Sequence, residues 1–138
     1  MMKPVRVGIV GVGMAGTYHY DCLNRVHGTA VEVVGVTSRR KESREAFAEA
    51  RGIRAFDSVD AMLGEIDLLD ICSPPFVHEA NILAAARAGK HVVCEKPLTG
   101  CFGPEDSPED WRGDRAPKQP MLDDVRRKLA ALREAVRD

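Results

Sequence analysis

Residues 5–16 read V-R-V-G-I-V-G-V-G-M-A-G, and this stretch decides how the sequence folds. Apart from Arg6, the first six positions are β-branched residues or glycine, as expected of a parallel strand that helices cover on both faces. Gly11, Gly13 and Gly16 then follow in the pattern G-x-G-x-x-G. In this pattern the first glycine permits a tight turn and the second lets the backbone approach a pyrophosphate. The third allows close contact between helix and strand.

The glycine pattern predicts a phosphate-binding loop, because free N–H groups at the start of the following helix face an anion. Strand, glycines, helix and a second strand occur in the required order. The predicted cofactor contacts here are Gly11, Gly13, Met14, Ala15 and Gly16. Two alternatives stay open from the loop alone. One is a glycine turn that serves only chain reversal, and the other is a methyltransferase that binds S-adenosylmethionine.

Short β-branched runs alternate with helical stretches as far as residue 96, which is typical of repeated βαβ units. We predict strands at Val5–Val10, Val31–Thr37, 53–56, 67–72 and His91–Cys94, and helices at 14–26, 40–50, Val59–Leu63 and 78–88. The predicted fold class is α/β: a doubly wound parallel sheet, or Rossmann fold. It has about five strands in the order 3-2-1-4-5 with flanking helices.

The second predicted strand ends in T-S-R-R-K, and this tip bears on which dinucleotide binds. An acidic residue there would accept hydrogen bonds from the ribose 2′-hydroxyl of NAD, whereas a 2′-phosphate requires cations. Ser38, Arg39 and Arg40 supply a small hydroxyl and two guanidinium groups, which bind phosphate through charge-assisted hydrogen bonds. The tip therefore favours NADP, with NAD as the alternative cofactor. An ordinary solvated helix start is the competing interpretation.

Three further motifs follow in order: S-P-P-F-V-H at 73–78, A-G-K-H-V at 88–92 and E-K-P at 95–97. Together with the glycine loop they resemble the Gfo/Idh/MocA family, named for glucose–fructose oxidoreductase and inositol dehydrogenase. The resemblance covers residues 4–100 with collinear spacing. It implies an NAD(P)-dependent oxidoreductase that transfers hydride between a nicotinamide cofactor and a sugar, a polyol or a related hydroxy or keto compound.

The resemblance also implies roles for single residues. Lys96 corresponds to the family's active-site lysine and is the predicted catalytic residue, with Glu95 as its partner; both are expected near the cofactor. Ser73, Pro74 and His78 match the segment that lines the nicotinamide half of the cofactor. For His78, capping of its helix and packing are the alternative role.

Two other residues have weaker assignments. His19 follows the glycine loop at a position that is frequent in the family, and we predict that it packs against the loop, with contact to the cofactor as the alternative. Trp111 lies in a polar segment, where a partner or domain contact is the favoured interpretation.

The last forty residues differ in character from the rest. Residues 101–120 contain four prolines and two glycines, which indicates a surface loop. Apolar residues then recur at steps of three and four, which predicts an amphipathic helix. The predicted division is a dinucleotide-binding Rossmann core at 1–100, a flexible inserted loop at 101–120 and a helix packing on the Rossmann sheet at 121–138.

Members of the resembled family continue into an α/β substrate domain that this sequence does not contain. We therefore expect the N-terminal Rossmann domain of an oxidoreductase, which binds cofactor without turnover by itself. The full-length enzyme is expected to be a homo-oligomer. The alternative is a stand-alone dinucleotide-binding or sensing module without catalysis.

The composition argues against several classes of binding partner. The formal net charge is −1, so no broad positive field attracts nucleic acid or acidic membranes. No uninterrupted apolar run approaches the roughly 18 residues of a membrane span, and the N-terminal run is interpreted as a strand rather than a signal peptide. The four cysteines form no C-x-x-C pair, which favours buried free thiols, no metal site and a cytoplasmic location.

Overall fold

The computed structural model describes residues 3–104 and 111–137, and its strands form a parallel sheet. The strands are β1 (Val5–Val10), β2 (Val31–Thr37), β3 (Arg54–Ala55), β4 (Leu68–Ile71) and β5 (His91–Cys94). Their order is β3-β2-β1-β4-β5, and all neighbours are parallel. The predicted fold class and strand order are therefore confirmed.

Helices cover the sheet on both faces. They are α1 (Met14–Leu23), α2 (Lys41–Glu49), α3 (Val59–Leu63), α4 (His78–Arg87) and α5 (Lys118–Ala135), with one 3₁₀ turn at Pro75–Val77. One core cluster joins the sheet to α2, with buried residues Ile9, Val33, Val36, Phe47 and Ala48. A second joins it to α3 and α4, and includes Met62, Ile66, Leu69, Ile71, Ile82 and Ala85. Burial on both faces explains why β1 and β2 are apolar at successive positions.

Some elements are shorter than the sequence pattern predicts. Helix α1 ends at Leu23, and both the backbone N–H and the side-chain amide of Asn24 donate to the Tyr20 carbonyl, at 3.2 and 2.8 Å. Strand β3 has two residues, because only Gly35 and Val36 of β2 pair with it.

An ion pair fixes the start of β4 against β1. The backbone N–H of Arg6 donates to the Asp67 carboxylate at 2.9 Å, and the guanidinium donates to the same carboxylate at 2.8 and 3.1 Å. These hydrogen bonds lower the pKa of Asp67 to about 2. The pair therefore ties together the two strands between which the chain order reverses.

Helix α5 begins at Lys118, inside the range predicted as a loop, and packs against α4. Its buried residue Leu132 belongs to the same core cluster as Ile82 and Ala85 of α4. The loop prediction at 101–120 falls partly on residues 105–110, which lie outside the described residues. Trp111 is half-buried in a hollow that it shares with Met121.

The cysteines are not uniformly buried. Cys72, Cys94 and Cys101 are half-buried, but Cys22 is exposed on α1. The prediction of buried thiols is therefore wrong for Cys22, because this residue lies on the solvent side of its helix. Among the described residues, no helix combines the length and hydropathy that crossing a membrane would require.

Candidate functional site

A crevice runs along the carboxyl edge of the sheet, where β1, β2 and β4 end. Two adjoining hollows form it, and the residues lining one or both include Gly11, Gly13, Ser38, Arg39, Arg40, Ser73, Pro74 and Phe76. The crevice lies where the sheet order reverses between β1 and β4. Open α/β sheets bind ligands at this switch point, because the loops after the two strands diverge there.

The three glycines of the loop have different surroundings. Gly11 has a φ of 102°, and a Cβ there would lie 2.7 Å from the Cys72 carbonyl oxygen. A Cβ at Gly16 would lie 2.0 Å from the Gly11 carbonyl oxygen. At Gly13 a Cβ would meet no atom within 4 Å. Gly11 and Gly16 are thus required by the fold, whereas Gly13 leaves open space in front of the loop.

The N-terminus of α1 opens onto this space. Gly13 is its N-cap, and no side chain among the described residues caps the helix. Met14 is 91% exposed and Ala15 is half-buried. The first backbone N–H groups of the helix, with the positive end of its dipole, are therefore available to an anion.

The tip of β2 brings the predicted phosphate ligands to the same crevice. Arg39 and Arg40 are exposed, and the Ser38 hydroxyl donates to the Arg40 carbonyl at 3.2 Å. Behind the tip, the buried guanidinium of Arg44 donates to the Ser38 carbonyl at 3.3 Å and pairs with Asp57. Sequence reasoning missed Arg44, because its polar side chain on an amphipathic helix gave no sign of burial.

The end of β4 forms the opposite wall. Pro74 is exposed, and the buried Oγ of Ser73 has no hydrogen-bond partner among the described residues. A buried hydroxyl without a partner is costly, so one is expected to be satisfied by something outside the chain. This orphaned donor and the open space over Gly13 both fit a polar ligand in the crevice.

His78 lies behind the crevice rather than inside it. Its side chain is fully buried, with Nδ1 2.9 Å from the Pro97 carbonyl oxygen and Nε2 2.8 Å from the Ser73 carbonyl oxygen. This arrangement corresponds to the packing role that was the alternative for His78. The imidazole joins the ends of β4 and β5 and supports the crevice without facing it.

The segment after β5 carries Glu95 and Lys96. Lys96 is exposed, its backbone N–H donates to Glu95 Oε2 at 3.2 Å, and its peptide bond to Pro97 is cis. Further along, the Gly100 carbonyl accepts a hydrogen bond from the ammonium of Lys128 on α5 at 2.9 Å. The predicted catalytic lysine therefore stands at the carboxyl end of a strand, in a segment fixed at several points.

The residue before Lys96, Glu95, belongs to a cluster of three polar side chains that the sequence did not predict. His19 on α1 places Nδ1 3.0 Å from both carboxylate oxygens of Asp70, and Nε2 3.1 Å from Glu95 Oε1. Burial lowers the pKa of His19, but the two carboxylates outweigh this effect and the net direction is upward. The pKa of Glu95 is lowered, first by the hydrogen bond from His19. His19 thus contacts two carboxylates, which the sequence does not predict.

Comparisons with known proteins identify the family of this chain. The family model Gfo/Idh/MocA, which describes oxidoreductases with an NAD-binding Rossmann fold, matches residues 5–111. The chain belongs to this family. The Gfo/Idh/MocA match spans the glycine loop, both walls of the crevice and the E-K-P segment, so the resemblance inferred from those motifs is confirmed.

Individual relatives match almost the whole chain. An inositol 2-dehydrogenase of Cereibacter sphaeroides is 36% identical over an alignment of 138 positions, which covers 96% of this chain and 41% of that protein. A Bordetella pertussis dehydrogenase solved with NADH and UDP-GlcNAcA has a TM-score of 0.71 and 27% identity, covering 96% of this chain and 35% of that one. Biliverdin reductase of Synechocystis sp. PCC 6803, solved with biliverdin and NADP⁺, has a TM-score of 0.68 and 28% identity, covering 96% and 36%.

Two facts follow from these matches. The chain spans 41% or less of the length of each of these relatives. It is an NAD-binding Rossmann domain of an oxidoreductase family, and the solved structures that it resembles include one with NADH and one with NADP⁺.

Proposed function

We propose that this chain binds NADP in the crevice as the cofactor domain of an oxidoreductase that acts on a sugar, a polyol or a related hydroxy or keto compound. The observation that carries the proposal is the open space over Gly13. That space is flanked by the uncapped start of α1 and by the Ser38–Arg39 tip. A pyrophosphate placed there receives backbone N–H groups and the helix dipole together.

The preference for NADP rests on the charge at the tip of β2. Ser38 and the exposed Arg39 and Arg40 line the crevice where the adenosine ribose of a bound dinucleotide would lie. Guanidinium groups bind a 2′-phosphate through charge-assisted hydrogen bonds. Residues 38–40 themselves carry no carboxylate, and Asp57, which lines the adjoining hollow, is paired with Arg44. Arg44 supports this preference, because its hydrogen bond to the Ser38 carbonyl keeps the tip in place.

The proposed chemistry is hydride transfer. A bound nicotinamide supplies or accepts the hydride. Lys96, at the end of β5, donates a hydrogen bond to the substrate oxygen and stabilises the negative charge that develops on it. Lys96 is the one catalytic group that the family pattern assigns within this chain. We therefore expect cofactor binding without turnover from these 138 residues.

The substrate class rests on the relatives, among them an enzyme named for inositol and one solved with a UDP-sugar. This chain covers 41% or less of the length of each of these two relatives. The remaining part of such an enzyme would hold the substrate above Lys96.

Calorimetric titration with NADPH and with NADH tests the cofactor proposal. The wild-type chain should bind NADPH more tightly, by about tenfold or more, since charge-assisted hydrogen bonds contribute roughly 1.5–3 kcal/mol. The double variant Ser38→Asp with Arg39→Ala should reverse the preference. Arg126→Ala removes an exposed arginine on α5 and serves as the matched control. Equal affinities in wild type and double variant would overturn the NADP preference, and binding of neither nucleotide would overturn the function.

A further inference from the structure

Asp70, His19 and Glu95 form a continuous set of hydrogen bonds directly behind the predicted catalytic lysine. Asp70 lies on β4, His19 on α1 and Glu95 in the segment after β5. His19 is 51 residues from Asp70 along the chain and 76 residues from Glu95. The Asp70 side chain is 3% exposed, His19 20% and Glu95 34%. Exposure thus increases from the sheet towards Lys96. We call these three residues the histidine bridge.

The charge state of the histidine bridge follows from its acceptors. Each ring nitrogen of His19 faces a carboxylate, which accepts but does not donate when ionised. With both carboxylates ionised, both contacts are hydrogen bonds only when the ring carries two N–H groups, so in this state the bridge contains an imidazolium. The raised pKa of His19 agrees with this charge state. Burial raises the pKa of Asp70, and the hydrogen bond from His19 opposes that rise.

The two thiols near the bridge are uncharged at neutral pH. Cys72 lies beside Asp70, with Sγ donating to Oδ1 at 3.6 Å, and burial raises the pKa of this thiol. Burial also raises the pKa of Cys94, to about 11. The Lys96 ammonium is the other nearby charge, and it favours the ionised form of Glu95.

A metal site is the competing explanation. Donor atoms of His19, Asp70 and Cys72 all lie within 4.8 Å of one another. Each of them, however, already has a hydrogen-bond partner within this group. Two carboxylates around one imidazolium account for the arrangement without an ion.

We infer that the histidine bridge positions Lys96: His19 fixes the Glu95 carboxylate, and Glu95 in turn fixes the Lys96 backbone through its N–H. The second contact is the 3.2 Å hydrogen bond from the Lys96 N–H to Glu95 Oε2. The inference rests on the proposed function, since it assigns His19 as a positioning residue for the nicotinamide end of the crevice. His19 itself donates to two carboxylates and has no N–H left for a substrate.

The first test is NMR titration of the wild-type chain, following the His19 ring and the Lys96 amide. The bridge is intact below the pKa of His19 and is lost as pH rises through it, so both signals should move with one midpoint. Asp70→Asn and Glu95→Gln should each lower that midpoint, because each removes a charge that raises the pKa of His19. The exposed His27 should titrate identically in all three proteins.

The inference would be overturned if the Lys96 amide signal did not shift as His19 titrates. A stoichiometric shift of the His19 ring signals on addition of one equivalent of Zn²⁺ at neutral pH, after which they no longer titrate, would assign the group to a metal instead.

The second test separates positioning from general folding. We expect His19→Gln to weaken NADPH binding about tenfold, because Lys96, which is expected near the cofactor, is then no longer held in place through Glu95. The same variant should bind adenosine 2′,5′-bisphosphate as wild type does, since that ligand lacks the nicotinamide half. His27→Gln is the matched control. Equal losses for both ligands would show a merely structural role, and no loss would overturn the inference. Should wild type bind neither ligand, the proposed function fails, while the NMR titration still decides whether the bridge controls Lys96.

Discussion

Gly16 lies so close to Gly11 that a Cβ on the helix residue would sit 2.0 Å from the carbonyl oxygen of the turn residue. The contact cannot relax by rotating a side chain, because both partners are backbone. We therefore predict that Gly16→Ala lowers the free energy of unfolding by roughly 1–3 kcal/mol or more, the range for overpacked sites. Urea denaturation of wild type and variant measures the difference. A change below about 0.5 kcal/mol would contradict this account of the loop.

Gly13→Ala provides the opposite case. A methyl group at Gly13 meets no atom within 4 Å, and the backbone there has φ −80° and ψ −159°, which any residue adopts. Stability should change by no more than about 0.5 kcal/mol, but the methyl group would fill the space expected to hold the pyrophosphate. We expect at least a tenfold loss of NADPH affinity by calorimetry, about 1.4 kcal/mol. Unchanged affinity would place the nucleotide elsewhere.

The Arg6–Asp67 pair predicts a pH dependence of stability. The pKa of Asp67 is lowered from 3.8 to about 2 in the folded chain, so its contribution is present above pH 4 and is lost as the pH falls towards 2. Asp67→Asn should be less stable than wild type at pH 5, and the difference should shrink as the pH falls through that window. Chemical denaturation at several pH values checks this. The control is Asp21→Asn, at an exposed position on α1. A difference that stays constant with pH would contradict the prediction.

Removal of the buried His78 ring should affect both strand ends that it joins. His78→Ala leaves a cavity and two carbonyl groups, of Ser73 and Pro97, without their partner. We expect a loss of roughly 2–4 kcal/mol in the free energy of unfolding. His91→Ala, at an exposed position on β5, is the matched control and should be close to neutral. Near-equal effects of the two substitutions would show that His78 does not support the crevice.

The features predicted correctly from the sequence are those set by local pattern. The glycines, the apolar β1 and β2 and the alternation with helices involve neighbouring residues, and the parallel order follows from right-handed crossovers between them. The two-residue β3 shows the limit of such patterns. Its length is set by the two residues of β2, Gly35 and Val36, that pair with it.

The features that the sequence did not predict depend on residues far apart in the chain. His19 and Asp70 are 51 residues apart, and nothing near either of them indicates that they meet. The one local signal was Asp70 itself, since a carboxylate in the buried strand I-D-L-L-D-I-C requires a polar partner. Arg44 was missed for the same reason, since its burial depends on Ser38 and Asp57.

The segment from Glu95 to Gly100 is held by three different elements. His19 of α1 contacts Glu95, His78 of α4 contacts the Pro97 carbonyl, and Lys128 of α5 contacts the Gly100 carbonyl. Such a segment has lost its conformational freedom by the time the domain has folded. A ligand that meets Lys96 therefore encounters a preorganised backbone, and only the exposed side chain of Lys96 remains to be ordered, which favours geometrically selective recognition.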